Sequence, residues 1–141
     1  MNTKETAIQE RARDLHAGGL HCAESVLLAV MEARGTASNA LVPRMATCFG
    51  AGVGRTKEEL CGALSGGLMA IGGIIGRERL GQGWDLAAEA GAELRERFKE
   101  LHGCTRCSEI LAALGPQENS HLCRRLTGQA ADLTLKVLDE L

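Results

Sequence analysis

The residues of this chain best equipped for chemistry are its six cysteines: Cys22, Cys48, Cys61, Cys104, Cys107 and Cys123. Thiolates ligate soft metals, hold iron–sulfur clusters and exchange with disulfides, whereas buried thiols also serve as small apolar fillers. Four of the six share a setting. Cys22 falls in the opening turn of a helix after "GGLH", and Cys61 lies one turn into a helix that follows a glycine-rich loop. Cys107 follows Thr105, a cap candidate, and Cys123 stands three residues after Ser120, another cap candidate. A helix N-terminus offers free N–H groups and partial positive charge, so a thiol placed there is expected to be more acidic than usual. Cysteines used only as core filler have no reason to favour helix starts.

The elements that must position these thiols read as helices nearly from end to end. The first helix is expected from about Thr3 to His16, closed by Gly18 and Gly19. The second covers "HCAESVLLAVMEAR" and stops at Gly35. The third, "ALVPRMATCF", has Ser38 and Asn39 as cap candidates and Pro43 in its first turn, where a missing N–H costs little. Thr56 and Glu59 form a T-x-x-E capping box for the fourth, which runs to about Ile75. The fifth spans about Trp84 to His102, the sixth Arg106 to Leu114, and the seventh runs from Ser120 to the C-terminus. Apolar residues never alternate with period two, so no strands are expected. Together these make an all-α, single-domain multi-helix bundle over residues 1–141, built around the glycine-rich fourth helix.

That fourth helix carries an uncharged run from Leu60 to Gly76, at the lower edge of membrane-spanning length. Its many small residues, Gly62, Ala63, Ser65, Gly66 and Gly67 among them, read better as a buried central rod that its neighbours approach closely. The preceding loop, "GAGVGRT", has the look of a phosphate loop and fails the test. Counting back from Gly54 puts Phe49 where G-x-x-x-x-G-K-[ST] needs glycine, and Arg55 takes the lysine position. A dinucleotide fingerprint starting at Gly50 and Gly52 breaks at Arg55 as well.

Composition narrows the function classes. The 141 residues include one Trp, two Phe and no Tyr, so the core must come from Ala, Leu, Ile, Val and Gly. Net charge is −2 with both signs dispersed, and no basic stripe or aromatic platform for nucleic acid is present. The charged, amphipathic N-terminus lacks an apolar signal core, which leads to the expectation of a cytoplasmic protein whose cysteines are not standing disulfides.

The segments "HCAESVLLA", "FGAGVGRTKEELCGALSGGLMAIGGIIG", "CSEIL" and the cysteine of "HLCRRLTGQAA" together resemble the redox-active C_GCAxxG_C_C family, over about Cys22 to Asp132. The single-letter cysteines of the family name map onto Cys22, Cys61, Cys107 and Cys123, with Cys48 and Cys104 outside the pattern. One departure is that Leu60 precedes Cys61 and Gly62 follows it, where the name places glycine first. The family also resembles the non-haem part of split-Soret cytochromes, which are dimers carrying haem and an iron–sulfur site. The resemblance implies a helical fold, redox or electron-transfer chemistry through a four-cysteine site, an unidentified redox partner protein and a homodimer. It does not extend to c-type haem: attachment needs C-x-x-C-H, and "CTRCS" has Ser108 in place of the histidine.

Three chemistries suit such a site. An iron–sulfur cluster takes four cysteine ligands, here Cys22, Cys61, Cys107 and Cys123, assembled from four helices. Gly52, Gly54, Arg55, Gly62 and Ser65 would flank it, Arg55 as a cation and Ser65 as a donor one turn beyond Cys61. Zinc could use Cys104, Cys107, His121 and Cys123, a closed set suited to a structural, partner-binding protein. A thiol–disulfide couple could use the same cysteines, or the C-x-x-C of Cys104 and Cys107, without metal. His21, His102 and His121 each lie within two residues of a cysteine, where capping or exposure is the plainer reading. Met45 and Met69 read as core filler.

Overall fold

The computed structural model describes residues 4–36 and 39–141. Helix α1 spans Ala7–Ala17, α2 Cys22–Ala33, α3 Leu41–Ala46, α4 Gly62–Ile75, α5 Asp85–His102, α6 Cys107–Leu114 and α7 His121–Asp139. A 3₁₀ turn over Thr47–Phe49 extends α3. The protein is all-α, and no strand occurs among the described residues. Thr3 and Ser38, named above as a helix start and a cap, lie outside those residues; Asn39 does serve α3, its side chain accepting from the Leu41 N–H at 2.8 Å.

The helices begin where local chemistry supplies partners for their first N–H groups. Thr6 and Gln9 form a reciprocal capping box on α1, and the Thr6 hydroxyl also donates to Asp132 on α7 at 3.0 Å. Glu24 does the corresponding work for α2. Although buried, its carboxylate accepts from the His21 N–H at 2.8 Å and the Thr47 hydroxyl at 2.9 Å. This pins the entry of α2, and with it Cys22, to the end of α3. Gly103, at φ 80°, closes α5 in the left-handed conformation that glycine adopts at least cost.

Two helices share the centre. Helix α2 packs against α1, α3, α4 and α7, and α4 packs against α2, α5 and α7. Their close approach has a cause in residue size. A Cβ on Gly66 would meet the Ala23 carbonyl oxygen of α2, and one on Gly62 would meet the Cys22 sulfur. Gly62 and Gly66 are one turn apart on the same face, so the first two turns of α4 lie directly on the opening turn of α2. Around this pair sit Val26, Leu27, Val30, Leu64, Ile71, Leu94 and Phe98, all essentially inaccessible. Phe98 is thus one of only two phenylalanines and the largest fully buried side chain. Among the described residues no helix is long and apolar enough to cross a membrane; α4 itself is 14 residues.

The start of α4 differs from expectation. The T-x-x-E pattern does not cap a helix. Thr56 Oγ1 donates to the Gly52 carbonyl at 2.7 Å and accepts from the Glu58 N–H at 3.3 Å, both within the loop. Two forces keep residues 57–60 out of the helix. Lys57 has φ 64°, and Leu60 forms an isolated antiparallel bridge with Arg106. Helix α4 therefore starts one turn late, with Cys61 as its N-cap.

Candidate functional site

Cys22 is the first residue of α2, Cys61 the N-cap of α4, Cys107 the first residue of α6 and Cys123 the third of α7. The four lie far apart in sequence, yet all line one cavity of about 270 Å³. The bridge between Leu60 and Arg106 sets two of them side by side: the Cys61 N–H donates to the Thr105 carbonyl at 2.8 Å and the Cys107 N–H to the Glu59 carbonyl at 2.9 Å. The bridge holds Arg106 in extended backbone, φ −80° and ψ 135°, so the N-cap of α6 is Arg106 rather than Thr105. The contact of Gly62 with Cys22 brings in the third. Gly52 closes the loop onto the second, since a Cβ there would stand 2.7 Å from that of Cys107.

Cys123 is held differently. Ser120 is the N-cap of α7 but makes no side-chain capping bond, its φ being 57°. Gln117 replaces it. Its Oε1 accepts from the Cys123 N–H at 3.0 Å, and its Nε2 donates to Cys123 Sγ at 3.2 Å. One carboxamide therefore satisfies both the backbone and the sulfur of the same residue.

The glycine-rich loop forms a wall of the cavity through Ala51 and Lys57. Ala51, Gly52, Val53, Gly54, Arg55 and Lys57 all have φ between 51° and 69°. Four of these are not glycine, and each such residue costs roughly 1–2 kcal/mol in the left-handed region. Val53, which is β-branched, is the least suited to it. Strain of this kind persists where surrounding structure imposes it and clusters at functional sites. In return the loop's backbone serves the site, the Ala51 N–H favouring the Cys22 thiolate.

The electrostatics correct the expected acidity of these thiols. Burial pushes the Cys22 thiol up, against the Ala51 and Ala23 N–H groups that favour its thiolate. Cys61 is pushed up to about 12, by burial first and by Cys22 second, despite N–H groups from Ala63 and Leu64. Cys107 is raised by burial and then by Cys22 and Cys123, with Lys57 working the other way. Desolvation outweighs the helix N-terminus at all three, so they are neutral thiols near pH 7 unless a cation enters among them. Cys22 thus lies within electrostatic reach of Cys61, Cys107 and Cys123, and Cys107 of Cys61 and Cys123.

The remaining candidates divide. Gly62 lines the cavity, and Gly52 abuts Cys107 from outside it. Gly54 and Arg55 do not reach it; they face a neighbouring pocket with His21, Thr47 and Cys48 because the left-handed turn carries them away. The cation at the cavity is Lys57. Ser65 turns its hydroxyl to the Cys61 carbonyl at 3.3 Å rather than to a sulfur. Cys104 and His121 are not cavity residues: the Cys104 thiol points to the His102 carbonyl at 3.7 Å, and His121 Nδ1 lies 3.0 Å from the Glu118 carbonyl oxygen. The set Cys104, Cys107, His121 and Cys123 is therefore divided: Cys107 and Cys123 line the cavity, Cys104 is half-buried against the core away from it, and His121 is exposed. Cys48 is exposed. Among the described residues, no three His, Cys, Asp or Glu side chains stand close enough to a common point to hold a single metal ion.

Three cavity residues carried no signal in the sequence. Gln117 lies in an irregular turn, and Lys57 follows a loop with no motif of its own. His16, on α1, also faces the cavity, its Nδ1 3.0 Å from the hydroxyl of the fully buried Thr127. Burial, then Arg124 and His21, hold its pKa down at about 4, so it is a neutral imidazole.

Residues 20–137 match the model of the family described as "Putative redox-active protein (C_GCAxxG_C_C)". The matched span contains all four cavity cysteines and most of the chain. The protein is a member of this family, and a general redox role comes with the family description. No curated protein and no solved structure matches the chain.

Proposed function

We propose that this protein is an electron carrier whose redox centre is an iron–sulfur cluster bound by Cys22, Cys61, Cys107 and Cys123. The observation that supports this reading is the single cavity of about 270 Å³ that all four thiols line. The donor set fits the group: four cysteines are the usual complement of a [2Fe–2S] or [4Fe–4S] cluster. A single zinc ion needs sulfurs about 2.3 Å from one centre, and among the described residues no three His, Cys, Asp or Glu side chains meet at such a point. When bound, a cluster supplies one-electron oxidation and reduction.

The chain's own residues serve that chemistry in identifiable ways. N–H groups in the opening turns of α2 and α4 favour the thiolates of Cys22 and Cys61, and N–H groups directed at ligand sulfur raise a cluster's potential. Gln117 does the same for Cys123. Lys57 offsets part of the negative charge that four thiolates bring together. Gly62 and Gly52 keep side-chain bulk out of the site, and the buried walls from Ile110 and Leu126 limit water.

Protein purified without oxygen should contain iron and acid-labile sulfide and absorb broadly in the visible. Replacing any one of Cys22, Cys61, Cys107 or Cys123 by serine should remove or alter that absorption, while Cys48→Ser and Cys104→Ser leave it intact. Stoichiometric zinc would overturn the reading. So would iron-free protein that resists reconstitution and cycles two electrons per thiol pair, which would point to a dithiol couple.

A further inference from the structure

Among the described residues, α3 and the turn and loop after it leave four apolar side chains exposed along the chain. Leu41, Met45 and Phe49 recur every four residues and are 55%, 50% and 39% exposed; Val53, four further on, is 41% exposed. Their helix neighbours Val42 and Ala46 are buried against the core, so α3 has one face in and one apolar face out. Met45 in particular is not the core filler its composition class implied.

The exposed charge along this stretch of the chain is one-sided; the Glu24 carboxylate that accepts from Thr47 is buried. The net charge of the chain is −2, yet no Asp or Glu occurs between Glu32 and Glu58, where Arg34, Arg44, Arg55 and Lys57 lie. Arg34 is tied to Asp139 at 3.2 Å. Arg44 and Arg55 form no salt bridge among the described residues and stand exposed within this stripe of sequence. Glu58 and Glu59, the next acids, line a separate open pocket with Arg106.

The stripe is also the back of the redox cavity's wall. The Phe49 carbonyl oxygen lies 3.0 Å from the position a Cβ on Gly62 would take, the position that also meets the Cys22 sulfur. Val53 belongs to the loop whose Ala51 and Lys57 line the cavity. One layer of backbone separates the exposed apolar surface from a thiol ligand.

Building on the electron-carrier reading, we infer that Leu41, Met45, Phe49 and Val53, rimmed by Arg44 and Arg55, are the docking surface for a small acidic electron-transfer protein. The charge complementarity selects an acidic partner. A patch of four apolar residues suits the small, transient interfaces that electron-transfer partners use. In the complex one electron leaves the partner's reduced centre and enters the cluster bound by this chain, and no bond is made or broken.

The probe is an acidic [2Fe–2S] ferredoxin. Its binding is measured by calorimetry to both the cluster-loaded and the metal-free chain, and its electron delivery by stopped-flow absorption. Dithionite serves as the small reductant that needs no docking. Binding should weaken as salt rises. Arg44→Glu with Arg55→Glu, and separately Met45→Glu, should each weaken binding and slow ferredoxin-driven reduction by about tenfold or more. The dithionite rate should not change, which also shows that the variants are folded and loaded. Leu86→Glu, at an exposed apolar position on α5, should have no effect.

Unchanged ferredoxin binding in both stripe variants would overturn the docking surface while leaving the electron-carrier reading intact. A wild-type dimer that Met45→Glu dissociates would overturn it too, by showing a second copy on this face. Wild-type protein that dithionite cannot reduce would overturn the electron-carrier reading, and the docking inference with it.

Discussion

Gly62 and Cys22 compete for the same volume: a methyl group on Gly62 of α4 would overlap the sulfur at the start of α2. The central helices approach as they do because residue 62 has no side chain, and the sulfur occupies the space that this leaves.

Gly62→Ala should therefore destabilise the protein by about 1–3 kcal/mol, as overpacking does, and should abolish or distort the visible absorption of the loaded site. Gly72→Ala is the control on the same helix. A Cβ there meets nothing within 4 Å, and its φ is not positive. It should be neutral or stabilising by roughly 0.5–1 kcal/mol, since alanine favours the helix. Thermal denaturation of both variants makes the comparison.

Gln117→Ala removes the amide that holds both the N–H and the sulfur of Cys123. Loss of a cap of this kind costs about 0.5–2 kcal/mol. The loaded protein should also show a lower reduction potential, because one hydrogen bond to a ligand sulfur is gone. Gln117→Glu keeps the acceptor for the N–H but not the donor to sulfur. It should recover most of the stability and none of the potential, a split that voltammetry and melting can resolve.

Thiol accessibility should rank the cysteines in metal-free protein at neutral pH. Cys48 is exposed, whereas Cys61 is buried and its thiol pushed up to about 12. Iodoacetamide, followed by peptide mass spectrometry, should modify Cys48 early and Cys61 only when the protein opens. Early labelling of Cys61 would show that its surroundings are wetter than the structure allows.

Acid should destabilise the fold through His16. An unfolded histidine titrates near 6.5, and His16 in the fold near 4. Between those values the unfolded chain binds the proton and the native one does not, so stability is full above about 6.5 and declines as pH falls toward 4. His102, lowered by burial, contributes in the same direction. Urea unfolding across this range should show the decline, and His16→Gln should make it shallower.

Much of this was legible in the chain itself. The helix count, the glycine stops and the placement of Cys22, Cys61, Cys107 and Cys123 near helix starts follow from local periodicity and capping chemistry, which act over a few residues. The glycines of α4 also announced a helix that neighbours approach closely. What local rules could not supply was long-range. The start of α4 depends on Leu60 pairing with Arg106, a partner remote in sequence, and that pairing overrides the Thr56–Glu59 box. The thiol acidity depends on burial among four helices, which outweighs the helix N-terminus that sequence position reveals. The roles of Gln117, Lys57 and His16 exist only because the folded chain carries them to one cavity. Sequence decided which side chains were available and on which helices they would sit; the packing of α2 on α4, set by glycines that leave no room for anything larger, decided which of them meet.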